Sequence, residues 1–250
     1  MGSPNAITHS ALCAEADKLG SFFTEGDWGY RQYDIQDTRY ILSFGVDPLS
    51  ANRQVSYYCS EWGNTLDKAQ VAIVDPRFSA SAAKADEWVP IKPGQDGALG
   101  LALAHQILVD GGWHRPFVGD FTDGQNHFIA GQEVDSNTFE EIHTNGLVEW
   151  WNIALKDYTP EWAAELCGID VDQIRRIAAK LVDASPRVQI WRSRGVQMQH
   201  RGGYTAMALH ALNGLLGSVD QEGGVLKWAS APMANMPSSK EYVDDVGQSG

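Results

Sequence analysis

The stretch VAIVDPRFSASAAKADEWVPIKPGQDG, residues 71–97, decides the fold class. A first apolar run, 71–74, stops at Asp75, and a second, 88–91, stops at a Pro-Gly turn that leads to Asp96. Short, continuously apolar runs that end in turn residues are typical of strands buried on both faces of a parallel sheet. The stretch therefore predicts two parallel strands, each followed by an acidic residue in a turn.

Apolar runs of the same kind near 39–44 and 187–192 predict two further strands. Helical patterns lie between the strands, and this alternation favours an α/β fold, a parallel sheet flanked by helices in the manner of Rossmann-like nucleotide-binding domains. We expect helices over 10–23, 55–69, 96–112, 139–158 with a break near Gly146, from 159, over 170–184, and from 203 to about 217.

Composition excludes several classes of protein. The chain has 250 residues and a net charge of −13, which argues against a general nucleic-acid binder because neutralising phosphates requires clustered Lys and Arg. Its three cysteines, Cys13, Cys59 and Cys167, form no C-x-x-C pair. The chain alone therefore supplies neither a zinc ribbon nor a four-cysteine iron–sulfur site, and it does not have a disulfide framework.

The two acids suggest a nucleotide site, because ligands of open parallel sheets bind beyond the carboxyl ends of the strands. Asp75 could accept hydrogen bonds from both hydroxyls of a ribose, and Gly45, before Asp47, would let the backbone approach a phosphate. Asp96 has two interpretations: a helix N-cap, or an acceptor for the N–H edge of guanine. No G-x-G-x-x-G follows the first strand, so the residues alone predict only a nucleotide-binding α/β domain.

Four stretches carry a resemblance to a known family. VDPRFSASAAKADEWVPIKPGQDGALGLALAHQIL resembles the pterin-guanine-dinucleotide segment of the molybdopterin oxidoreductases, the dimethyl-sulfoxide-reductase superfamily. YILSFGVDPLSANR, WRSRGVQMQHRGGYTAMALHALNGLLGSVDQEGGVL and GSPNAITHSALCAEA are similar to further segments of that family, so the resemblance extends to about Leu226. THSALC looks most like the thiosulfate, polysulfide, tetrathionate and arsenate reductase branch.

The resemblance implies a bis(molybdopterin guanine dinucleotide) cofactor with molybdenum or tungsten. It also implies two-electron oxygen-atom or sulfur-compound redox chemistry in anaerobic respiration. Thiolate suits such a sulfur-rich metal centre. Carried over by resemblance, the roles are Cys13 as metal ligand, His9 beside the metal or substrate, Asp75 on the ribose, Asp96 on guanine, Gly45, Asp47 and Arg77 by the nucleotide, and Gly195, Gln199 and His200 near a pterin.

Alternative interpretations stay open at this point. Without the resemblance, Cys13 is best interpreted as a small buried hydrophobic residue, His9 equally well as a helix cap, and Gln199-His200 as a polar loop. The alternative function is a non-catalytic α/β domain that binds a guanine nucleotide or the cofactor without turnover.

The resemblance also sets expectations for domains and partners. We expect a cofactor-binding domain over 1–193 with an insertion at 113–135, a segment at 194–228 that returns to a neighbouring pterin-binding domain, and a loop or disordered tail at 229–250. The chain would be a fragment of a catalytic subunit or one piece of a split subunit, with a 4Fe–4S cluster in an N-terminal part outside it. The implied partners are an iron–sulfur electron-transfer subunit, a membrane-anchor subunit and a small inorganic substrate, in an extracytoplasmic complex.

Overall fold

The computed structural model describes residue 9, residues 13–227, and residues 234, 241 and 243–245. Its strands are β1 (Arg31–Tyr33), β2 (Tyr40–Phe44), β3 (Gln70–Val74), β4 (Glu87–Val89), β5 (Gly119–Phe121), β6 (Phe139–Glu141), β7 (Val188–Arg192) and β8 (Val225–Lys227). Its α-helices are α1 (Glu15–Glu25), α2 (Val55–Leu66), α3 (Asp96–Val109), α4 (Arg115–Val118), α5 (Leu147–Ile153), α6 (Pro160–Cys167), α7 (Val171–Ala184), α8 (Arg194–Gln197) and α9 (Gly202–Leu215).

A four-stranded parallel sheet in the order β4-β3-β2-β7 forms the centre of the fold. Tyr40 of β2 pairs with Gln70 of β3 on one side and with Val188 of β7 on the other. The predicted α/β class and all four predicted strands are therefore confirmed. The chain moves outward from β2 to β4 and then crosses back to β7, so the strand order reverses between β2 and β7. Ligands of open α/β sheets bind at such a reversal.

Both faces of the sheet are covered, because successive side chains of a strand point to opposite faces. On one face, Ile41 and Ile73 pack with Tyr58 and Trp62 of α2. On the other face, Leu42 and its neighbours belong to the main core, to which α3, α7 and α9 contribute. Each fully buried side chain of this size stabilises the fold by about 1.5–3 kcal/mol, which explains why the strands are apolar throughout.

The helix predicted over 139–158 is wrong in its first half. Residues 139–141 form β6, which pairs antiparallel with β5, and α5 begins only after Gly146, whose φ is +87°. The reason is aromatic packing: the Phe139 ring lies 4.9 Å from that of Phe121 and 6.0 Å from that of Trp113. This contact comes from distant residues, so tertiary packing overrides the local helical pattern.

Two helix starts follow the sequence signals. Thr159 caps α6 by accepting from Trp162 N, and Asp170 caps α7 by accepting from Asp172 N. Within the described ranges, no helix is long and apolar enough to cross a membrane. The division at residue 193 stays a prediction, and most of the predicted tail, 229–250, lies outside the described residues.

Candidate functional site

Two turns meet backbone to backbone where the strand order reverses. Gly45, after β2, has a φ of +58°, and a Cβ added to it would lie 2.7 Å from Gly195 Cα in the turn after β7. A Cβ on Gly195 would likewise lie 2.6 Å from Gly45 Cα, and Gly195 N donates to Gly45 O at 3.3 Å. The two turns can therefore touch only because both positions are glycine. The sequence analysis did not indicate this role for Gly45.

Asp47 ties the turn after β2 to the turn after β3. Its carboxylate accepts from the hydroxyls of Ser50 and Ser81, each at 2.6 Å, and from Arg77 Nη2 at 3.2 Å. Burial raises the pKa of Asp47, but the hydrogen bonds from Ser50 and Ser81 outweigh it, so the pKa lies below its usual value. Asp47 is thus an ionised residue that organises the loops, and the Arg77 side chain stays 69% exposed beside it.

Asp75 sits at the carboxyl end of β3, as the sequence predicts. Its Oδ1 accepts from Arg77 N at 2.8 Å, and its carbonyl accepts from Trp88 Nε1 at 2.8 Å. Within the part of the chain that the structure describes, Oδ2 accepts no hydrogen bond. One carboxylate oxygen of a residue only 9% exposed is therefore left for a donor from outside.

Asp96 is the first residue of α3 and is 5% exposed. Gln95, and not Asp96, holds the N-cap position, and its side chain makes no capping hydrogen bond. Burial raises the pKa of Asp96, the Gln199 hydrogen bond lowers it, and the charge of Asp75 raises it further. Asp75 directly follows β3, and Asp96 follows the neighbouring parallel strand β4 after the turn at residues 90–95.

The turn after β7 reaches Asp96 through Gln199. Its Nε2 donates to Asp96 Oδ2 at 3.2 Å and to Val196 O at 2.9 Å. Gly94, with a φ of +86°, approaches the same side chain, since an added Cβ would lie 3.3 Å from Gln199 Oε1. The structure therefore brings Gln199 to Asp96, whereas His200, the next residue, is exposed.

A cavity of 650 Å³ lies beside the carboxyl end of β7 and is lined by Cys13, which is 8% exposed. Part of its wall is aromatic, with the Tyr33 ring stacked 4.8 Å from that of Trp191. His9 is exposed and is not among the lining residues. Among the cavity residues that the sequence analysis missed are Arg53, Arg192, Arg194 and Gln197.

A buried polar network attaches α1, the helix after Cys13, to the rest of the site. Arg192 Nε lies 2.7 Å from Asp17 Oδ1, and its Nη2 donates to Ser21 Oγ at 2.6 Å. Arg192 Nη1 lies 2.8 Å from His210 Nδ1 in α9, and His210 Nε2 lies 3.2 Å from Glu25 Oε2 at the other end of α1. Hydrogen bonds from Arg192 to Ser21 and to the Asp17 carbonyl therefore attach α1 to β7, and the ion pair of Arg192 with Asp17 adds to them.

The network determines the protonation state and the tautomer of His210. Burial, reinforced by the charge of Arg192, holds the pKa of His210 well below its usual value. The imidazole is therefore neutral at pH 7. Since a guanidinium can only donate, Nδ1 accepts from Arg192 and the ring proton is on Nε2, facing Glu25.

The described residues contain no group of three or more His, Cys, Asp or Glu side chains arranged to hold a metal ion. Among the residues that line the cavity, Cys13 supplies a thiol, a donor type that suits soft metals.

Comparison with known proteins connects this geometry to a family. The family model described as Molybdopterin oxidoreductase matches residues 5–246. The solved structure of acetylene hydratase from Pelobacter acetylenicus is similar with a TM-score of 0.65 and 21% identity, over 90% of this chain and 27% of that chain. At that identity the likeness supports the fold alone.

Three curated relatives are similar in sequence. The molybdopterin-containing subunit of arsenate respiratory reductase from Shewanella sp. (strain ANA-3) is 54% identical over 100% of this chain. The same subunit from Chrysiogenes arsenatis is 48% identical, also over 100% of this chain, and the thiosulfate reductase subunit from Salmonella typhimurium is 28% identical over 94%. The chain spans 29%, 29% and 27% of the lengths of these three proteins.

Proposed function

This chain belongs to the molybdopterin oxidoreductase family, and we propose that it forms part of the catalytic subunit of an arsenate respiratory reductase. The two relatives of that description, at 54% and 48% identity over the whole chain, support arsenate as the substrate. The proposal narrows the predicted branch of thiosulfate, polysulfide, tetrathionate and arsenate reductases to one member. An iron–sulfur electron-transfer subunit is the partner we propose for electron delivery.

The observation that carries the proposal is that the cavity containing Cys13 adjoins the reversal of strand order. Gln197 Oε1, a buried acceptor in the cavity wall, has no donor within the described residues, and Arg53 and Arg194 add positive charge. Acceptors, cations and one thiol fit a cofactor that combines pterin N–H groups, phosphates and a metal. The residues of the site therefore suit bis(molybdopterin guanine dinucleotide).

We assign the roles in the holoenzyme accordingly. Asp75 would accept hydrogen bonds from a ribose, and Asp96 would accept them from guanine. Gly45, Asp47 and Arg77, in the turns after β2 and β3, would lie by the nucleotide and keep these turns in their conformation. Gly195, Gln199 and His200 would lie near a pterin, and Cys13 would ligate the metal, with His9 close to the substrate. The molybdenum or tungsten centre, when bound, supplies the two-electron chemistry, and this chain binds and orients it.

Substitution of Cys13 tests the metal ligand. In the full-length subunit, Cys13→Ser should remove most turnover and change the Mo(V) resonance spectrum, because an alkoxide or hydroxyl replaces a soft thiolate donor. Cys167→Ser is the matched control, since Cys167 is also buried and burial raises its pKa to about 12, which keeps it a thiol. An unchanged spectrum and rate in Cys13→Ser would exclude Cys13 as the ligand.

Substitution of Asp96 tests base recognition. Asp96→Asn should lower the GMP released per chain about threefold to tenfold, because the amide loses the charge and one acceptor that strengthen hydrogen bonds to a base. Asp172→Asn, in the first turn of α7, is the control for loss of a charge at a helix start. Equal GMP release from the two variants would reduce Asp96 to a helix-start residue.

A further inference from the structure

The buried amide of Gln197 joins the Cys13 segment to the cavity. Gln197 is 6% exposed, and its Nε2 donates to the carbonyl oxygen of Cys13 at 2.8 Å. A carbonyl oxygen can only accept, so this contact fixes which way the amide points. The other polar atom, Oε1, is consequently an acceptor with a defined position.

Gln197 Oε1 is buried and meets no donor in the described part of the chain. Gln197 and Cys13 both line the 650 Å³ cavity. Leaving a buried acceptor without a donor is costly, and nearly all such groups in proteins find a partner. A ligand in this cavity that carries an N–H group would satisfy Oε1.

The backbone around Gln197 holds the amide in place. Val196 is fully buried in the main core, at 0% exposure. Gly202, the first residue of α9, passes so close that an added Cβ would lie 2.0 Å from Gln197 O. Only glycine fits at that contact, so the backbone of Gln197 packs closely against the start of α9.

We propose that Gln197 is a positioning residue that couples the place of Cys13 to occupation of the cavity by a heterocycle with in-plane N–H donors, such as a pterin. Its amide N–H holds the Cys13 carbonyl, and its amide oxygen receives a ring N–H of the ligand. One side chain thereby fixes the protein ligand relative to the ring system. The inference rests on the proposed function, which supplies the heterocycle.

Gln197→Met in the full-length subunit tests the coupling. The variant keeps the length of the side chain and removes both hydrogen bonds. Molybdenum and GMP should leave it about threefold to tenfold faster than they leave the wild type, the change that corresponds to one lost neutral hydrogen bond. Its Mo(V) spectrum should also shift, because the Cys13 carbonyl is no longer held.

Gln189→Met is the matched control. Gln189 is a fully buried amide of β7 whose Nε2 donates to the carbonyls of Gly223 and Gly224. Its Oε1 also lacks a donor within the described residues, but Gln189 does not line the cavity. Its substitution should therefore leave the release rates and the Mo(V) spectrum as in the wild type.

Alkylation of Cys13 gives a readout without the cofactor. In protein from a host unable to make the cofactor, iodoacetamide should label Cys13 about threefold to tenfold faster in Gln197→Met than in the wild type. The exposed Cys59 supplies the internal reference rate. Gln197→Asn is the second variant: it retains a polar amide that suits the buried position, but the amide is too short to reach Cys13 and the ligand together.

The outcomes separate the inference from the proposed function. Faster release and faster labelling in both Gln197 variants, with a wild-type response in Gln189→Met, support the coupling. If the wild type binds molybdenum and GMP, and both Gln197 variants match it in release rates, Mo(V) spectrum and Cys13 labelling rate, the inference is wrong but the proposed function is not affected. A full-length wild type that holds no molybdenum and releases no GMP overturns the proposed function, and the inference with it.

Discussion

Replacing Gly45 by alanine tests whether the two turns at the strand reversal must touch. Gly45 has a φ of +58° and lies against Gly195, so alanine there meets both a backbone penalty and a clash. Gly26, which ends α1 with a φ of +78°, has nothing within 4 Å of an added Cβ. Gly26→Ala therefore measures the backbone penalty by itself.

The magnitudes follow from these two environments. A left-handed alanine costs about 1–2 kcal/mol, of which about 0.4–1 kcal/mol is offset by the smaller entropy of the unfolded chain. At Gly45 the Cβ would also lie 2.7 Å from Gly195 Cα, a backbone atom that no rotamer change can move. Overpacking of this kind adds about 1–3 kcal/mol, so Gly45→Ala should be the more destabilising variant by that amount.

Urea unfolding followed by tryptophan fluorescence measures the free energy of unfolding of both variants. The nine tryptophans of the chain supply the fluorescence signal. Equal losses for Gly45→Ala and Gly26→Ala would refute the argument, since they would show that the turns separate without cost. A larger loss for Gly45→Ala, together with weaker retention of GMP, would link the contact to the nucleotide site.

Two further predictions concern the buried network. Arg192→Leu should lower the free energy of unfolding by about 3–5 kcal/mol, because it leaves the carboxylate of Asp17 without its cationic partner. Arg187→Leu, which breaks the exposed pair with Glu222, should lower it by at most about 1 kcal/mol. Similar losses in the two variants would contradict the role of the network. Below about pH 6.5, His210 takes up a proton only when the chain unfolds, so the free energy of unfolding should fall by up to about 1.4 kcal/mol per pH unit until the native pKa is reached. Urea titrations at several pH values should show that His210→Gln flattens this pH dependence. An unchanged pH dependence in His210→Gln would contradict the assignment to His210.

The sequence predicted the parts of the fold that local patterns specify. The four central strands are continuously apolar because both faces are buried, and that pattern is visible in any one segment. The carboxyl ends of parallel strands share an edge, which is why the sequence predicts that Asp75 and Asp96 belong to one site. The helix predicted at 139–146 failed because β6 is held by aromatic rings from other segments.

The rest of the site depends on contacts that leave no local pattern. Gln197 and Cys13 are 184 positions apart, and nothing near either residue indicates the bond between them. Arg192 could have been noticed as a cation closing an apolar strand, but its partners in α1 and α9 could not. Asp47 stays a predicted neighbour of the nucleotide, but its hydrogen bonds to Ser81 and Arg77, 34 and 30 positions away, left no local pattern.

The attachment of α1 has a consequence for the newly made chain. Asp17 leaves the ribosome before its partner Arg192, which follows 175 residues later. At a synthesis rate of roughly 5–20 residues per second, this delay lasts about 9–35 s. Throughout that interval the Cys13 segment has neither Arg192 nor Gln197 to hold it, so the cavity forms only after β7 and α8 have emerged.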